Sequence, residues 1–264
     1  MDKTIANPSP KEVIGRASEC MRRLLEAGLP FEALQKPIDD PEMRKRLVRF
    51  WISGGFEPSA SQKRAREILG KNCFGIEEAI KHFGVNPSKQ QLAALSEVPF
   101  TEAALEECKN THILVAVFPL SILDIRGKVE RKLFYSHGDA WYNKQAFAQD
   151  YGDLSAQAGV SWYLVRKDVV SNSTSKNWSE QVSLLAKDEE VPSTRVMVYA
   201  IIGHYLVTGE RLFENVWVRC SDLDSSGFRV RVGRFDRGGL CVGDGVWGDN
   251  RNDYIGLASS RKFQ

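Results

Sequence analysis

The run VGDGVWGDNRNDYIGLASSRKF, Val242 to Phe263, decides how this chain is read. From Gly243 to Tyr254 it is almost wholly Gly, Asp, Asn and Arg, interrupted by Val246 and Trp247. Such composition ordinarily belongs to segments that cannot bury enough apolar surface to fold. Yet an apolar strand pattern follows at once, Tyr254-Ile255-Gly256-Leu257-Ala258. A polar, turn-prone loop placed directly before a final strand is expected to be a working surface that the strand pins down.

Upstream, strand patterns recur between Gly/Asp-rich turns: Asn215 to Arg219 (NVWVR), Gly227 to Gly233 (GFRVRVG) and Gly239 to Val242 (GLCV). Period two sends Phe228, Val230 and Val232 inward and Arg229 and Arg231 outward. With Tyr254 to Ser259 these form the pattern of an antiparallel meander. Further upstream the period is helical. Helices are expected from Pro10 to Gly28, Pro41 to Ile52, Ser59 to Leu69, Ile76 to Phe83, Lys89 to Leu95 and Glu102 to Cys108. Near Thr111 the pattern changes. His112 to Ile125 reads as a long buried strand, Lys132 to Ser136 as a short one, Ala140 to Asp150 as a helix and Val160 to Asp168 as a strand. Helices are then expected at Trp178 to Lys187 and Ser193 to Thr208. The longest apolar run, Val196 to Val207, is too short to span a membrane and reads as a buried helix. The fold class expected is α+β: a helical N-terminal region over residues 1–108, then a domain with antiparallel strands over 109–264.

Composition narrows the function. Lys and Arg number 36 against 34 Asp and Glu, a net charge of +2, so no bulk attraction draws the chain to nucleic acid or an acidic membrane. The cysteines, Cys20, Cys73, Cys108, Cys220 and Cys241, are odd in number, and none forms a CxxC. Neither a zinc site nor a redox pair is expected. With no signal-type h-region in MDKTIANPSPKEV, a reducing, cytoplasmic setting is expected.

Catalytic patterns are missing. His82, His112, His137 and His204 form no HxH or HExxH, and His137 with nearby Asp139 has no third partner. There is no GxSxG, P-loop or GxGxxG followed by a helix. Ile76 to Leu95 is superficially like a helix-turn-helix. It lacks an apolar residue near Gln90 for its second helix to bury, and a helical hairpin is the expectation.

The C-terminal order of strands, turns and polar loop, VWVRCS, FRVRVG, GLCV, GDGVWGDNRND and YIGLASSRKF, resembles the ending of C-type-lectin-fold proteins of the formylglycine-generating-enzyme (sulfatase-modifying-factor) branch. The resemblance covers about Thr111 to Phe263 and implies a C-type-lectin-like domain. One role in that branch is copper-dependent oxidation of a sulfatase cysteine by a close cysteine pair; here Cys220 and Cys241 lie on different expected strands. The other is that of variable proteins of diversity-generating retroelements, whose adenine-directed mutagenesis rewrites the ligand-binding face. That similarity implies a non-enzymatic protein, without cofactor or metal, that recognises a protein or other macromolecule. The implied ligand-binding residues are Asp222, Asp224, Arg229, Arg231, Arg234, Asp236, Asp244, Trp247, Asp249, Asn250, Arg251, Asn252, Asp253 and Tyr254. Trp247-Gly248-Asp249-Asn250 also resembles, with an inserted Gly and changed order, the Trp-Asn-Asp calcium motif of sugar-binding C-type lectins; turn residues are the expectation there. Residue chemistry points the same way as the resemblance, because Trp, Tyr and Arg dominate binding hot spots while Asn, Ser and Gly supply adaptable hydrogen bonds. Two alternatives stay open: a nucleic-acid-associated protein using residues 76–95, and a diverged formylglycine-generating-type enzyme.

Overall fold

The computed structural model describes residues 9–53, 55–136, 138–153, 157–246 and 249–262. His137, Trp247, Gly248 and Phe263 lie outside the described residues. The chain divides into two compact units, residues 1–55 and 56–264. The division expected at residue 108 therefore does not coincide with the structural one. Residues 56–108 add a strand and several core side chains to the larger unit.

The smaller unit holds helices α1 (Pro10–Glu26) and α2 (Pro41–Ser53). Ser9 opens α1 with a capping box: its side chain accepts from the Glu12 amide, and Glu12 accepts from the Ser9 amide.

The larger unit begins with α3 (Ala60–Leu69), β1 (Cys73–Phe74), α4 (Ile76–Phe83), α5 (Lys89–Ala94) and α6 (Glu102–Cys108). It continues through β2 (His112–Val117), α7 (Ile122–Lys128), β3 (Ser161–Arg166), α8 (Trp178–Val182), β4 (Glu189–Glu190) and α9 (Thr194–Thr208). Strands β5 (Trp217–Leu223), β6 (Arg229–Asp236), β7 (Gly239–Val246), β8 (Ile255–Leu257) and β9 (Ser260–Arg261) close it. The class is α+β, as expected. One sheet has the order β1-β2-β3-β9-β4, the other β7-β6-β5-β8. The apolar run at 196–207 is indeed a buried helix: α9 lies against strands of both sheets. Its Ser193 cap bonds the Val196 amide, and Gly209 ends it in the left-handed region. No helix among the described residues is long and apolar enough to cross a membrane.

Several expectations are corrected. The run from His112 to Ile125 is a strand only as far as Val117. Pro119 cannot donate to a ladder, and a Ser121–Asp124 capping box starts α7 instead. Ala140 to Asp150 is two separate turns, a 3₁₀ turn at Trp141–Lys144 and one α turn at Ala146–Gln149. Lys132 to Ser136 supplies only a bridge, Phe134 to Leu240. The helix expected from Trp178 to Lys187 ends at Val182. Gly243 to Val246, read as loop, extends β7. The four C-terminal strands are not a simple meander. β5, β6 and β7 are antiparallel, but β8 pairs parallel with β5, and the chain then crosses to the other sheet as β9.

At one end of the first sheet His112 is buried directly opposite Arg166. Its Nδ1 lies 2.8 Å from Thr111 Oγ1, while Nε2 has no partner. Burial, then the charges of Arg166 and Arg261, push the imidazole down to about 4. In the unfolded chain it titrates near about 6.5. Between those values the unfolded state binds the additional proton, so stability should fall as pH drops from about 6.5 towards about 4. His112→Gln should flatten that part of the Tm–pH profile; an unaltered slope would assign it to other groups.

Candidate ligand-binding face

Register decides which side chains share a face of the second sheet. Trp217 lies opposite Gly233, Arg219 opposite Arg231, and Leu223 opposite Arg229. Across β6, Gly233 lies opposite Cys241 and Arg231 opposite Gly243. Across β5, Ile255 lies opposite Trp217 and Leu257 opposite Arg219. One face therefore carries Trp217, Arg219, Arg229, Arg231, Cys241, Gly243, Ile255 and Leu257. The other carries Val218, Cys220, Val230, Val232 and Val242, all in the main core.

Helix α8 organises the first face. It starts with an Asn177–Glu180 capping box, and three arginines from three different elements meet it. Arg229 of β6 stacks over the Trp178 ring at 4.1 Å. Arg251 of the polar loop lies 3.0 Å from Glu180. Arg219 of β5 donates to Gln181 Oε1 at 2.9 Å. The hydrogen bond from the Asn177 amide holds the Glu180 carboxyl below its ordinary range, with Arg251 adding to it.

Arg219 is fully buried, the largest such side chain among the described residues. Besides Gln181 it donates to the carbonyls of Lys176 at 3.1 Å and Asn250 at 2.6 Å. Among the described residues no carboxylate pairs with it, and its Nε has no partner. Burial, then the charge of Arg231, lower its pKa from the ordinary guanidinium value. An arginine nevertheless keeps its charge in a protein. Carbonyl dipoles therefore carry the solvation that water gave up.

The same network closes the free edge of β8. The Ser173 hydroxyl accepts from the Leu257 amide at 3.0 Å, and Val170 donates to the Leu257 carbonyl at 3.0 Å. Gln181 Nε2 donates to Ile255 O at 3.0 Å and to Ser173 O at 2.7 Å. An edge strand that would otherwise expose its ladder groups is thus satisfied by side chains and loop backbone.

The polar loop is held by alternate carbonyls. Asn250 O accepts from Arg219, Asn252 O from the Ser175 amide at 2.8 Å, and Tyr254 O from the Trp217 amide at 2.9 Å. Side chains contribute little: Asn252 Nδ2 bonds Asn250 Oδ1 within the loop, and Arg251 makes its exposed ion pair. Asp249, Arg251, Asp253 and Tyr254 are exposed, while Asn250 and Asn252 are half-buried.

The residues expected to bind ligand do not all have free side chains. Asp222 accepts from the Thr194 amide and so caps α9. Asp224 accepts from the amides of Ser226 at 2.8 Å and Phe228 at 3.0 Å, holding a turn. Asp236 does the same for Gly238 at 2.7 Å. These carboxylates are fastenings within the fold. Arg234 is exposed at φ 46°, and Asp244 stands on the rim, 78% exposed, 3.9 Å from Arg231. Trp247 lies outside the described residues. Trp178, Gln181, Ser173, Trp217 and Arg219 were not anticipated as members of this face, and the helix expected from Trp178 was the local signal that touched it.

Cys220 and Cys241, on different strands as expected, differ in burial. Cys220 is fully buried, whereas Cys241 is half-buried on the opposite face and two strands away. Burial pushes both thiols up. All five cysteines are free. Among the described residues no three His, Cys, Asp or Glu side chains gather as metal ligands. Comparison with protein-family models, curated proteins and solved structures gave no significant match.

Removing one partner of a buried charge typically costs about 3–5 kcal/mol, whereas an exposed ion pair is worth about 0–1 kcal/mol. Gln181→Leu should therefore lower Tm by roughly 6–20 °C, at about 2–4 °C per kcal/mol for a chain of this size. Arg251→Ala should shift it by no more than about 4 °C. Differential scanning calorimetry of the two variants checks this. Equal shifts would mean that Gln181 does not anchor Arg219.

Proposed function

We propose that this chain is a non-enzymatic recognition protein that binds a protein ligand through the 249–254 loop and the Arg-bearing face of the β7-β6-β5-β8 sheet. The observation that carries the reading is the way the loop is held: by the main-chain carbonyls of residues 250, 252 and 254. Every amino acid offers that carbonyl. The side chains at Asp249, Arg251, Asp253 and Tyr254 are thereby released to meet a ligand, on a scaffold that does not depend on their identity. Loops on rigid frameworks are where recognition usually sits.

The same observation supports the likeness to variable proteins of diversity-generating retroelements and, with it, a C-type-lectin-like domain. A face that is to be rewritten needs a fold indifferent to the rewriting. The free cysteines favour a reducing, cytoplasmic setting. The enzyme alternative is disfavoured because Cys220 and Cys241 occupy opposite sheet faces. The nucleic-acid alternative finds little support in α5, where Lys89 is the single basic residue, against the several phosphate contacts that such binding needs.

The test uses one combined variant, Asp249→Ala, Asn250→Ala, Arg251→Ala, Asn252→Ala. Binders selected from a protein display library against the parent chain should lose at least about tenfold in affinity for the variant, the equivalent of about 1.4 kcal/mol. The variant's Tm should stay within about 8 °C of the parent, since the half-buried Asn250 and Asn252 keep their carbonyls as Ala and surface substitutions rarely exceed about 0.5 kcal/mol each. Binders indifferent to the variant, or a variant that unfolds, would reject the reading. In the genome, a near-repeat of the 3′ coding end differing only at adenines, beside a reverse transcriptase gene, is the expected accompaniment of diversification.

A further inference from the structure

Two arginine–tryptophan stacks stand on the recognition face. Arg229 lies over Trp178 at 4.1 Å and Arg231 over Trp217 at 4.6 Å. The second stack occupies a slot made for it. Gly243 sits directly across from Arg231, and a Cβ there would come within 2.8 Å of both Arg231 Nε and the Trp217 ring. A guanidinium laid flat on an indole keeps its N–H edge free for an in-plane acceptor, and carboxylates fit that edge in bidentate fashion.

The charges on this face are poorly balanced. Arg229 forms no ion pair with a described carboxylate, although the charge of Asp222 acts on it, and among the described residues its side chain donates to the Ser221 carbonyl. Arg231 reaches only Asp244, 3.9 Å away and 78% exposed, and donates no side-chain hydrogen bond to a described residue. Its Nε is buried without a partner among the described residues. Beneath them Arg219 is fully buried, also without a carboxylate. Three guanidinium charges thus lie on adjacent positions of β5 and β6, opposed by the loosely placed Asp244 at the rim and by Asp222, which acts on Arg229 without pairing with it.

We propose that the ligand engaged by this face is an extended acidic segment of a protein, with carboxylates at alternate residues, lying along β6. The inference rests on the recognition function proposed above and names the chemistry of its partner. Arg229 and Arg231 are two apart on one strand, so their side chains leave the sheet about 6.8 Å from each other. Alternate side chains of an extended peptide have the same spacing on one face. Consecutive acids point to opposite sides and present only every second charge. Trp178, half-buried, holds Arg229 and offers apolar surface to the residues between the acids, while Trp217 is buried and serves to hold Arg231. Asp244, a like charge at the rim, opposes an acidic ligand and sets its position.

Fluorescence anisotropy with labelled synthetic peptides on the full chain tests this. One peptide alternates Glu with Ser, a second of the same composition groups its Glu residues at one end, and a third alternates Gln with Ser. The alternating Glu peptide should bind at least about tenfold tighter than the Gln peptide, the worth of one charge-assisted hydrogen bond, and more tightly than the grouped one. Arg229→Gln or Arg231→Gln should each weaken it about tenfold without changing the circular dichroism spectrum. Asp244→Asn should strengthen it, and added salt should weaken it. Equal binding of the alternating and grouped peptides, no binding of either, or insensitivity to the arginine variants would overturn the inference. If selected binders depend on residues 249–252 but carry no acidic pattern, the partner chemistry fails while recognition by the face stands. If no binder depends on those residues, the recognition function fails first.

Discussion

A guanidinium buried without a carboxylate constrains everything around it. Arg219 has left water, and desolvating such an ion costs several kcal/mol even after the protein relaxes. Its compensation comes from the Gln181 amide and from the carbonyls of Lys176 and Asn250. These acceptors belong to two chain segments distant in sequence, residues 176–181 and Asn250, so satisfying one side chain brings the α8 segment and the polar loop into a fixed arrangement. Gln181 then spends its other end on Ser173 and Ile255, tying the edge of β8 to the same point. Charge burial, strand-edge closure and loop anchoring are one network.

That arrangement explains why residues 249–254, with the composition of a disordered tail, are ordered. Order is imposed on the loop through its backbone, by donors belonging to the Arg219 side chain, the Ser175 amide and the Trp217 amide. Ile255 and Leu257, both fully buried, secure the strand that follows. Truncating such a side chain typically costs about 2–5 kcal/mol, far more than any single exposed loop side chain contributes. Stability and chemistry are therefore carried by different atoms of the same segment. This separation is what a surface needs if its side chains are to change while its shape does not.

Much of this was legible in the sequence, and the failures have physical reasons. Period-two alternation in GFRVRVG sorted Val230 and Val232 from Arg229 and Arg231, because one sheet face packs on α9. The helices of residues 59–108 were visible from caps and apolar spacing, since those signals are local. Arg219 was not visible. In VWVRCS the alternation places it on the polar side of the strand, and it is there. What buries it is α8, whose Gln181 is 38 residues away in sequence, with a contact that no local pattern encodes. The parallel pairing of β8 was missed likewise, because a short turn implies an antiparallel neighbour while the polar loop is long enough to cross over. Among the expected site residues, Asp222, Asp224 and Asp236 look the same in sequence whether an acid holds a turn or meets a ligand; their amide partners decide it.

The separation of stability from side-chain chemistry can be tested on the loop itself. Two libraries displayed on cells, one randomised at residues 249–252 and the other at 181 and 219, can be challenged with protease and sequenced. Most members of the loop library should keep the parent's resistance, whereas survivors of the second should converge on Gln181 and Arg219. If the loop library is as intolerant as the second, the loop is held by its side chains and the central claim fails.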